Sequence, residues 1–569
     1  MLVGGCDPGQ PMRLTQSLVC INQTDNQEKS QQVRSMGGIY AFARAVRIWL
    51  GPATNEEIDA VFPLLSSEAD YHEILQNYEV IRSGRMRENS SSDNTSYFRL
   101  IEEFLSRAWF TRRWVLQEVI LARFAIVHCG HHTISWAQLC LRTRHFGLYQ
   151  GVIPRGEDGI YSIGIVPMRT LDLLSRTGST TIPRRWETEY HCRYVTGESK
   201  VYEIILDALD NYYMSDCVDD RDRLWALCGL AADKRLYINP RDKSKLSCPV
   251  DYSLHFSHVY TDFAIAAVES GHLARIFIQT IEFGGLFQQK EEWPSWVPGW
   301  NSTGTLHGVK EIFEHYSKPR ASGFPPNVHV FDRSWEYSPL DLWKEHNFRI
   351  THMYGRRALS LRACTHRIDD VKSSDCHLDT IAYFKSMLGD KGVGESCTIS
   401  RSKVLWLIML SLELLPTMLP YDRDVRCTPG PSSQQFPNNA SWTALKRVLG
   451  LPSNEGTEEN LDWDEGRFLR KARTILQRLY PFCYERDGSL LFGIAFVPVQ
   501  PGDFVFRTTR AAGAKISYGI HLSPSVCALI IRPYHQSSSA GPSTFRIAGM
   551  CIDYFPYTKE PDIVDVVLV

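Results

Sequence analysis

Residues 18–52 read LVCINQTDNQEKSQQVRSMGGIYAFARAVRIWLGP, and this stretch decides the fold of the N-terminal region. The apolar run 18–21 is typical of a strand buried on both faces. From about residue 26 the apolar positions follow a helical spacing, with Glu28 in the first turn, where the helix dipole favours a carboxylate. The apolar run 46–50 then predicts a second strand, which ends at a Gly-Pro pair. Strand, helix and strand with short connections predict a right-handed parallel βαβ unit and an α/β domain.

Length and composition indicate a large globular protein. The chain has 569 residues, which suggests about three or four domains. With 43% hydrophobic and 22% charged residues, wholesale disorder is excluded. The 62 basic and 64 acidic side chains give a formal net charge of -2, so no overall field attracts nucleic acid. We therefore expect no nucleic-acid partner.

The cysteines and the apolar runs predict a cytoplasmic protein without a membrane span. The 15 cysteines are dispersed and form no C-x-x-C pair, which favours a reducing compartment. Residues 1–8 contain no signal-peptide pattern. The apolar run 404–415 contains Ser411 and Glu413 and is shorter than the roughly 18 to 20 apolar residues that a span needs. We interpret it as a buried helix.

The rest of the pattern divides the chain into four predicted segments. These are a core at 17–140, a helical continuation at 141–310, a variable helical region at 311–480 with a linker near 420–460, and a small antiparallel β unit at 481–569. The β unit is indicated by short apolar runs separated by turn signals. The predicted fold class is therefore an α/β core with an incomplete parallel sheet, then a mostly helical middle region, then the β unit.

Residues 109–118, WFTRRWVLQE, are the densest aromatic and charged stretch. Four arginines at positions 107, 112, 113 and 123 form a local basic patch that can bind a phosphate, although solvated helix faces commonly look the same. The following HCGHH at 128–132 matches no zinc-ligand spacing, so we predict no metal site there. No P-loop pattern occurs in the chain.

Several of these stretches together resemble the fungal heterokaryon-incompatibility (HET) domain family. CINQ at 20–23 resembles its second motif, and 109–118 resembles its W-F-x-R-x-W-x-x-Q-E motif. The residues that carry these two matches are Cys20, Asn22, Gln23, Trp109, Arg113, Trp114, Gln117 and Glu118. Residues 219–231 and 250–253 are similar to its D-x-R-D-x-V-Y-A-L-L-G-L-A and P-D-Y-S segments. Further matches are at 294–298, 499–503, 531–533 and 546–549.

The resemblance also implies that the core is N-terminally truncated. Family members usually carry a strand with S-Y-x-W-G and a W-I-D-A lead-in before CINQ. Here residues 15–18 read TQSL, with Ser17 in place of the acidic residue. We therefore expect a HET core that lacks its usual first strand and that carboxylate, through either a late start or a degenerate copy.

What the resemblance implies about function leaves three readings open. The first is a signalling or effector module in fungal non-self recognition and regulated cell death, acting through a protein partner or self-association. HET domains are also considered remote relatives of TIR domains, some of which hydrolyse NAD with a single glutamate. The second reading is therefore a TIR-like NAD glycohydrolase with NAD as its substrate. The third is an inactive, degenerate copy.

Glu118 is the candidate catalytic residue of the enzyme hypothesis. On a helix it shares a face with Trp114, and apolar surroundings raise the pKa of a carboxyl towards the range of a useful general acid. Breaking the N-glycosidic bond of NAD needs such a carboxylate near the ribose. The structural alternative is an ion pair between Glu118 and one of three arginines, Arg34, Arg44 or Arg113.

The other motif residues also have two readings. Asn22 and Gln23 directly follow a predicted strand, where open α/β sheets bind ligands, so they can contact a ribose or an amide. Alternatively, Asn22 and Asp25 form a turn and cap the next helix. Trp109 and Trp114 can stack on a base or a nicotinamide ring, or they can belong to the core.

Overall fold

The structure is a computed structural model that describes part of the chain in detail. The described residues are 2–4, 22, 24–54, 61–62, 104–140, 205–213, 215–230, 250–283, 293–302, 348–371, 380–388, 404–405, 407–408, 411–412, 449, 472, 475–486, 489–508, 525–535, 544–555 and 563–569. The chain divides into two compact units, Met1–Val259 and Tyr260–Val569. The predicted division into four segments stays a prediction.

Helices and strands both occur throughout the described residues. The helices are α1 Asn26–Phe42, α2 Ala108–Thr111, α3 Val115–Ile120, α4 Ile205–Asn211, α5 Asp222–Trp225, α6 Phe256–Glu269, α7 Leu273–Phe283 and α8 Thr380–Leu388. The strands are β1 Leu2–Gly4, β2 Ala45–Trp49, β3 Ala125–Cys129, β4 His132–Ser135, β5 Phe348–Met353, β6 Arg356–Arg367, β7 Asp370–Val371, β8 Tyr480–Arg486, β9 Ser489–Ala495, β10 Phe504–Thr508, β11 Ser525–His535, β12 Thr544–Phe555 and β13 Ile563–Leu568.

The first unit contains a four-stranded sheet in the order β1-β2-β3-β4. The pair β2–β3 is parallel, and the two outer pairs are antiparallel. The predicted parallel sheet is therefore represented by one strand pair among the described residues. The predicted strand at 18–21 lies outside them, so the βαβ unit that it would begin stays a prediction.

Helix α1 forms where the sequence predicts it. Asp25 caps its N-terminus, because the side-chain Oδ1 accepts hydrogen bonds from the backbone N–H groups of Gln27 and Glu28 at 2.9 and 3.0 Å. Its buried stripe includes Val33 and Met36. The helix packs against α3, close to Gly37, where a Cβ atom would lie 3.1 Å from the Cα of Gly229. The absence of side chains at this contact lets the two segments approach closely.

The second unit contains a nine-stranded sheet. Its main path is β11-β10-β6-β13-β12-β9-β8-β7, β5 also pairs with β6, and β11 also pairs with β12. The strand pairs are antiparallel except for β12–β13, which is parallel. Its buried core includes Phe482, Tyr484, Val505, Ile530 and Cys551.

The C-terminal strands are confirmed, but the sheet is larger than the sequence predicts. The apolar runs after residue 489 become β9 to β12. Strands β5, β6 and β7, between residues 348 and 371, lie in the region whose pattern predicts a variable helical segment. β5 and β6 are joined by a tight turn in which Tyr354 and Gly355 both have positive φ, 51° and 76°. This turn lacks the usual Asn-Gly signal, and its first position exposes a tyrosine.

The apolar run at 404–415 is confirmed as a buried helical segment at its described positions. Val404, Leu407 and Ile408 are buried, and Ser411 donates its hydroxyl to the carbonyl of Leu407 at 2.9 Å. Among the helices that the structure describes, none has both the length and the apolar character to cross a membrane.

A buried ion pair stabilises one end of the second sheet. Asp503 is 2% exposed and accepts hydrogen bonds from Nε and Nη2 of Arg532 at 2.8 and 2.9 Å. Its Oδ2 also accepts the backbone N–H of Gln500 at 2.8 Å. The hydrogen bonds to Asp503, together with its charge, raise the pKa of Arg532.

We predict that Asp503→Asn lowers the free energy of unfolding by about 2 kcal/mol, because a buried charge-assisted network loses its anion. Urea denaturation followed by tryptophan fluorescence measures the change. Asp369→Asn is the matched control, since Asp369 pairs with Arg367 at 4.0 Å with both side chains largely exposed. We expect that control to change stability by less than about 0.5 kcal/mol. Equal losses in the two variants would contradict the prediction.

Candidate functional site

The side chain and the backbone of Arg113 donate hydrogen bonds from the 109–118 segment to later parts of the chain. Arg113 lies between α2 and α3 and is 1% exposed. Its Nε donates to the carbonyl of Arg223 at 2.9 Å, and its Nη1 donates to the carbonyl of Tyr212 at 2.6 Å. Its backbone N–H donates to the carbonyl of Asp216 at 2.8 Å. Arg113 therefore ties the segment to residues about a hundred positions later in the chain.

Gln117 makes a second such tie. Its Nε2 donates to the carbonyl of Ala226 at 2.9 Å, and the side chain is 1% exposed. Its Oε1 has no hydrogen-bond partner among the described residues. The amide packs against the Gly37–Gly229 contact. This placement makes Gln117 a packing residue between α1, α3 and the turn after α5.

Glu118 is buried and bonded to an aromatic side chain. It is 2% exposed, and its Oε2 accepts the indole N–H of Trp109 at 2.9 Å. Burial raises the pKa of Glu118 from 4.5 to about 7, although the charge of Arg112 and the Trp109 hydrogen bond oppose the rise. The raised pKa of this carboxyl agrees with the expectation from its apolar sequence neighbours.

Two of the three arginines proposed as ion-pair partners of Glu118, Arg34 and Arg113, have other partners, and Arg44 forms no ion pair with Glu118 either. Arg34 donates from Nη2 to the carbonyl of Val250 at 2.7 Å, and Arg113 binds the two carbonyls described above. Within the described residues Glu118 forms no ion pair. Trp109 packs edge-on against the rings of Phe110 and Trp136, which places it in the core.

Asn22 lies in the turn before α1. Its Oδ1 accepts hydrogen bonds from the backbone N–H and the hydroxyl of Thr24 at 3.1 and 2.7 Å. Its own backbone N–H donates to Glu28 Oε1 at 3.2 Å. This geometry fits the turn-and-cap interpretation of Asn22 and Asp25. Cys20 and Gln23 lie outside the described residues.

A buried carboxyl joins three of the motif segments. The Oδ2 of Asp222 accepts the indole N–H of Trp114 at 2.9 Å, and its Oδ1 accepts the hydroxyl of Tyr252. Asp222 is 8% exposed and Tyr252 is 1% exposed. Burial raises the pKa of Asp222, against the lowering effect of the two hydrogen bonds. Burial and the neighbouring carboxylate also raise the pKa of Tyr252.

Two cations lie against the ring of Tyr252. Lys29 Nζ lies 3.9 Å from the ring centroid, and the guanidinium carbon of Arg221 lies 5.0 Å from it. Both cations also bind Asp219: Lys29 at 3.1 Å, and Arg221 through Nε and Nη2 at 2.8 and 2.9 Å. Although burial of Asp219 acts in the opposite direction, these bonds lower its pKa.

These residues form one wall of a cavity of about 860 Å³ in the first unit. Its lining includes Val33 and Met36 of α1, Arg112 and Trp114 of the aromatic segment, and Phe256 of α6. The rest of the lining is Lys29, Asp216, Cys217, Val218, Asp219, Asp220, Arg221, Asp222, Tyr252 and His255. Glu118 does not line this cavity.

The sequence pattern indicates part of this site but not its centre. It singles out Trp114, which lines the cavity, and Arg113, Gln117 and Glu118, which lie behind the wall. The segments that contain Asp219, Asp222 and Tyr252 resemble the family, but their sequence pattern assigns these side chains no role. The acidic cluster Asp219, Asp220 and Asp222 is the sequence signal that could have indicated this site. The sequence does not reveal the long-range partners of these carboxyls.

The basic patch at 107–123 does not act as one surface. Arg107 donates to the carbonyls of Leu50 and Pro52 at 2.7 and 3.0 Å. Arg113 is buried, and Arg123 lies 5.6 Å from the ring of Phe124. Arg112 alone of the four lines the cavity.

Comparison with known proteins shows what the N-terminal part of this site resembles. A family model described as "Heterokaryon incompatibility protein (HET)" matches residues 17–118, which include α1, β2 and the aromatic segment. The protein contains a HET domain. The match covers Trp109, Arg113, Trp114, Gln117 and Glu118 themselves. The partners that Arg113, Trp114 and Gln117 bind lie beyond residue 118.

A curated relative supports the same assignment over a longer stretch. The HET-domain protein is 24% identical over 441 residues to "Heterokaryon incompatibility protein 6, OR allele" of Neurospora crassa, across 68% of this chain. The chain spans 61% of the length of that relative. No solved structure matches the chain.

We predict that Arg113→Met lowers the free energy of unfolding of the HET-domain protein by about 3 kcal/mol. Two buried carbonyl groups lose their charged donor, and methionine retains most of the side-chain volume. Arg112→Met, at the adjacent half-buried position, is the control and is expected to change stability by less than about 0.5 kcal/mol. Chemical denaturation of both variants tests this, and similar midpoints for the two would contradict it.

A second prediction concerns the pH dependence that Glu118 contributes. Because its pKa is about 7 in the folded state and 4.5 ordinarily, the folded state holds the proton more tightly. Wild-type stability therefore falls as pH rises through this window, whereas the glutamine of the Glu118→Gln variant cannot ionise. Relative to wild type, Glu118→Gln should gain about 3 kcal/mol of unfolding free energy between about pH 4.5 and pH 8.

Denaturation curves of both proteins across this pH range measure that difference. Other titrating groups, including Asp222, are common to the two proteins and cancel in the comparison. A stability difference that stays constant with pH would show that the Glu118 carboxyl keeps an ordinary pKa.

Proposed function

We propose that this HET-domain protein is a heterokaryon-incompatibility-type protein, a cytoplasmic signalling or effector module in fungal non-self recognition and regulated cell death. It acts through a protein partner or through self-association of the HET region. The family match and the name of the Neurospora crassa relative support the proposal. A TIR-like ancestry of the core is part of the same proposal.

The observation that carries the proposal is the use of the motif side chains inside the fold. Arg113, Trp114 and Gln117 bond to other segments of the first unit, and Glu118 bonds to Trp109 of its own segment. Side chains whose polar groups are bonded inside the protein stabilise the shape of its surface. They are not available as reactive groups. This arrangement supports a function in binding over one in chemistry.

The second candidate function is NAD hydrolysis with Glu118 as the acid. It is favoured by one observation, the raised pKa of Glu118, since an acid with a pKa of about 7 can donate a proton at neutral pH. Two observations oppose it. Glu118 is 2% exposed, and its Oε2 already accepts a hydrogen bond from the Trp109 indole. A substrate would reach Glu118 only after Trp109 moved.

The third reading, a degenerate copy, has less support from the geometry. A chain released from selection accumulates substitutions that leave buried polar groups without partners. Each such group costs about 1 to 3 kcal/mol of stability. The Arg113, Asp222 and Asp503 networks are each closed by several hydrogen bonds. Such networks support a chain that still folds to a defined structure.

Induced expression in a filamentous fungus tests the proposal. We expect cells that make the protein to lose viability, measured by uptake of a membrane-impermeant dye and by colony growth, with the response strengthened on fusion with an unlike strain. Glu118→Gln retains an acceptor for the Trp109 indole and should kill as efficiently as wild type. Survival of wild-type-expressing cells, before and after fusion, would contradict the proposal.

A parallel assay separates the two candidate functions. Purified wild-type and Glu118→Gln proteins are incubated with NAD, and nicotinamide release is followed by chromatography. We expect no release above the buffer blank from either protein. Release by the wild type that is lost in Glu118→Gln, together with loss of killing by that variant, would establish the enzyme instead.

A further inference from the structure

We propose that the 860 Å³ cavity of the first unit binds a small organic monoanion with a flat, apolar body, which Arg112 and Trp114 hold. The proposal goes beyond the function proposed above and does not depend on it. It rests on the size of the cavity, on its apolar wall and on which of its charged side chains already have bonding partners.

The cavity has the size and the wall of a small-molecule site. Ligand pockets in proteins typically enclose about 300 to 1,000 Å³ and combine apolar walls with a few polar groups. Here Val33, Met36 and Phe256 supply apolar side chains. The half-buried indole of Trp114 is part of the lining, and its bond to Asp222 fixes the position of the ring. A fixed aromatic ring favours a flat ligand, because little side-chain entropy is lost on binding.

The cations of the lining differ in whether they have partners. Lys29 and Arg221 both bind Asp219 and lie against the Tyr252 ring. The side chain of Arg112 has neither a hydrogen bond nor an ion pair within the described residues, although it lies near enough to Glu118 to affect its pKa. A guanidinium without a partner at a cavity wall is suited to bind a carboxylate through two parallel hydrogen bonds.

The anions of the lining limit the charge of the ligand. Asp219 is paired with Lys29 and Arg221, and the Asp222 carboxyl accepts hydrogen bonds from Trp114 and Tyr252. Asp216 and Asp220 also line the cavity and add negative charge. One anionic group can bind at Arg112, whereas a polyanion would also meet these carboxylates. The site therefore fits a monoanion.

Three probes of one shape test the charge preference. Naphthalene-2-carboxylate, naphthalene-2-carboxamide and 2-naphthylmethylammonium are titrated into the full-length protein by calorimetry. We expect the carboxylate to bind about ten-fold more tightly than the carboxamide, since the interaction with Arg112 is charge-assisted, and the ammonium to bind most weakly. Equal binding of carboxylate and carboxamide, tightest binding of the ammonium, or no saturable binding of any probe would overturn the proposal.

Variants then assign the preference to one side chain. Arg112→Gln should abolish the advantage of the carboxylate and leave the affinity for the carboxamide unchanged. Arg123→Gln is the matched control, because Arg123 is exposed, lies against Phe124 and does not line the cavity. Retention of the carboxylate preference in Arg112→Gln, or its equal loss in Arg123→Gln, would refute the assignment. Naphthalene-1,5-disulfonate, a dianion, should bind more weakly than the carboxylate.

Discussion

The two carbonyls that receive the guanidinium of Arg113 belong to Tyr212 and Arg223, on either side of the loop that carries the acidic residues of the cavity. This interaction fixes that loop against α2 and α3. With the loop held there, Asp222 reaches both Trp114 and Tyr252, and Asp219 reaches Lys29 of α1. A buried cation therefore helps to form the cavity by joining segments that are distant in sequence.

The same buried environment explains why two carboxyls in this unit have raised pKa values. Both Glu118 and Asp222 are removed from water, and each accepts a hydrogen bond from an indole N–H. A neutral donor compensates only partly for the loss of hydration, so burial dominates in both cases. The difference between them is location, since Asp222 lines the cavity and Glu118 lies behind its wall. A raised pKa alone therefore does not distinguish the carboxyl that lines the cavity from the one behind its wall.

Local patterns were sufficient to predict the elements that contain their own signals. Helix α1 has a capping aspartate and a regular apolar stripe, and β2 is a short, mostly apolar run, so both form where expected. Strands β6 and β7 lack such signals, because they pair with strands more than a hundred residues away, and β5 pairs in turn with β6. The candidate site shows the same limit. The aromatic neighbourhood of Trp114 identifies it in the sequence. The role of Asp222 depends on its hydrogen bonds to Trp114 and Tyr252, which are distant from it along the chain.

Strand β6 has a further consequence for how the protein forms. It pairs with β13 in the register Leu359 to Leu568, so about two hundred residues separate neighbours at the middle of the second sheet. Closing such a loop costs entropy before any contact compensates for it, and topologies of this kind fold slowly. During synthesis β6 leaves the ribosome long before β13 does. The nascent chain therefore presents β6 with the edge that receives β13 still unpaired, and an exposed edge of this kind favours chaperone binding until synthesis ends.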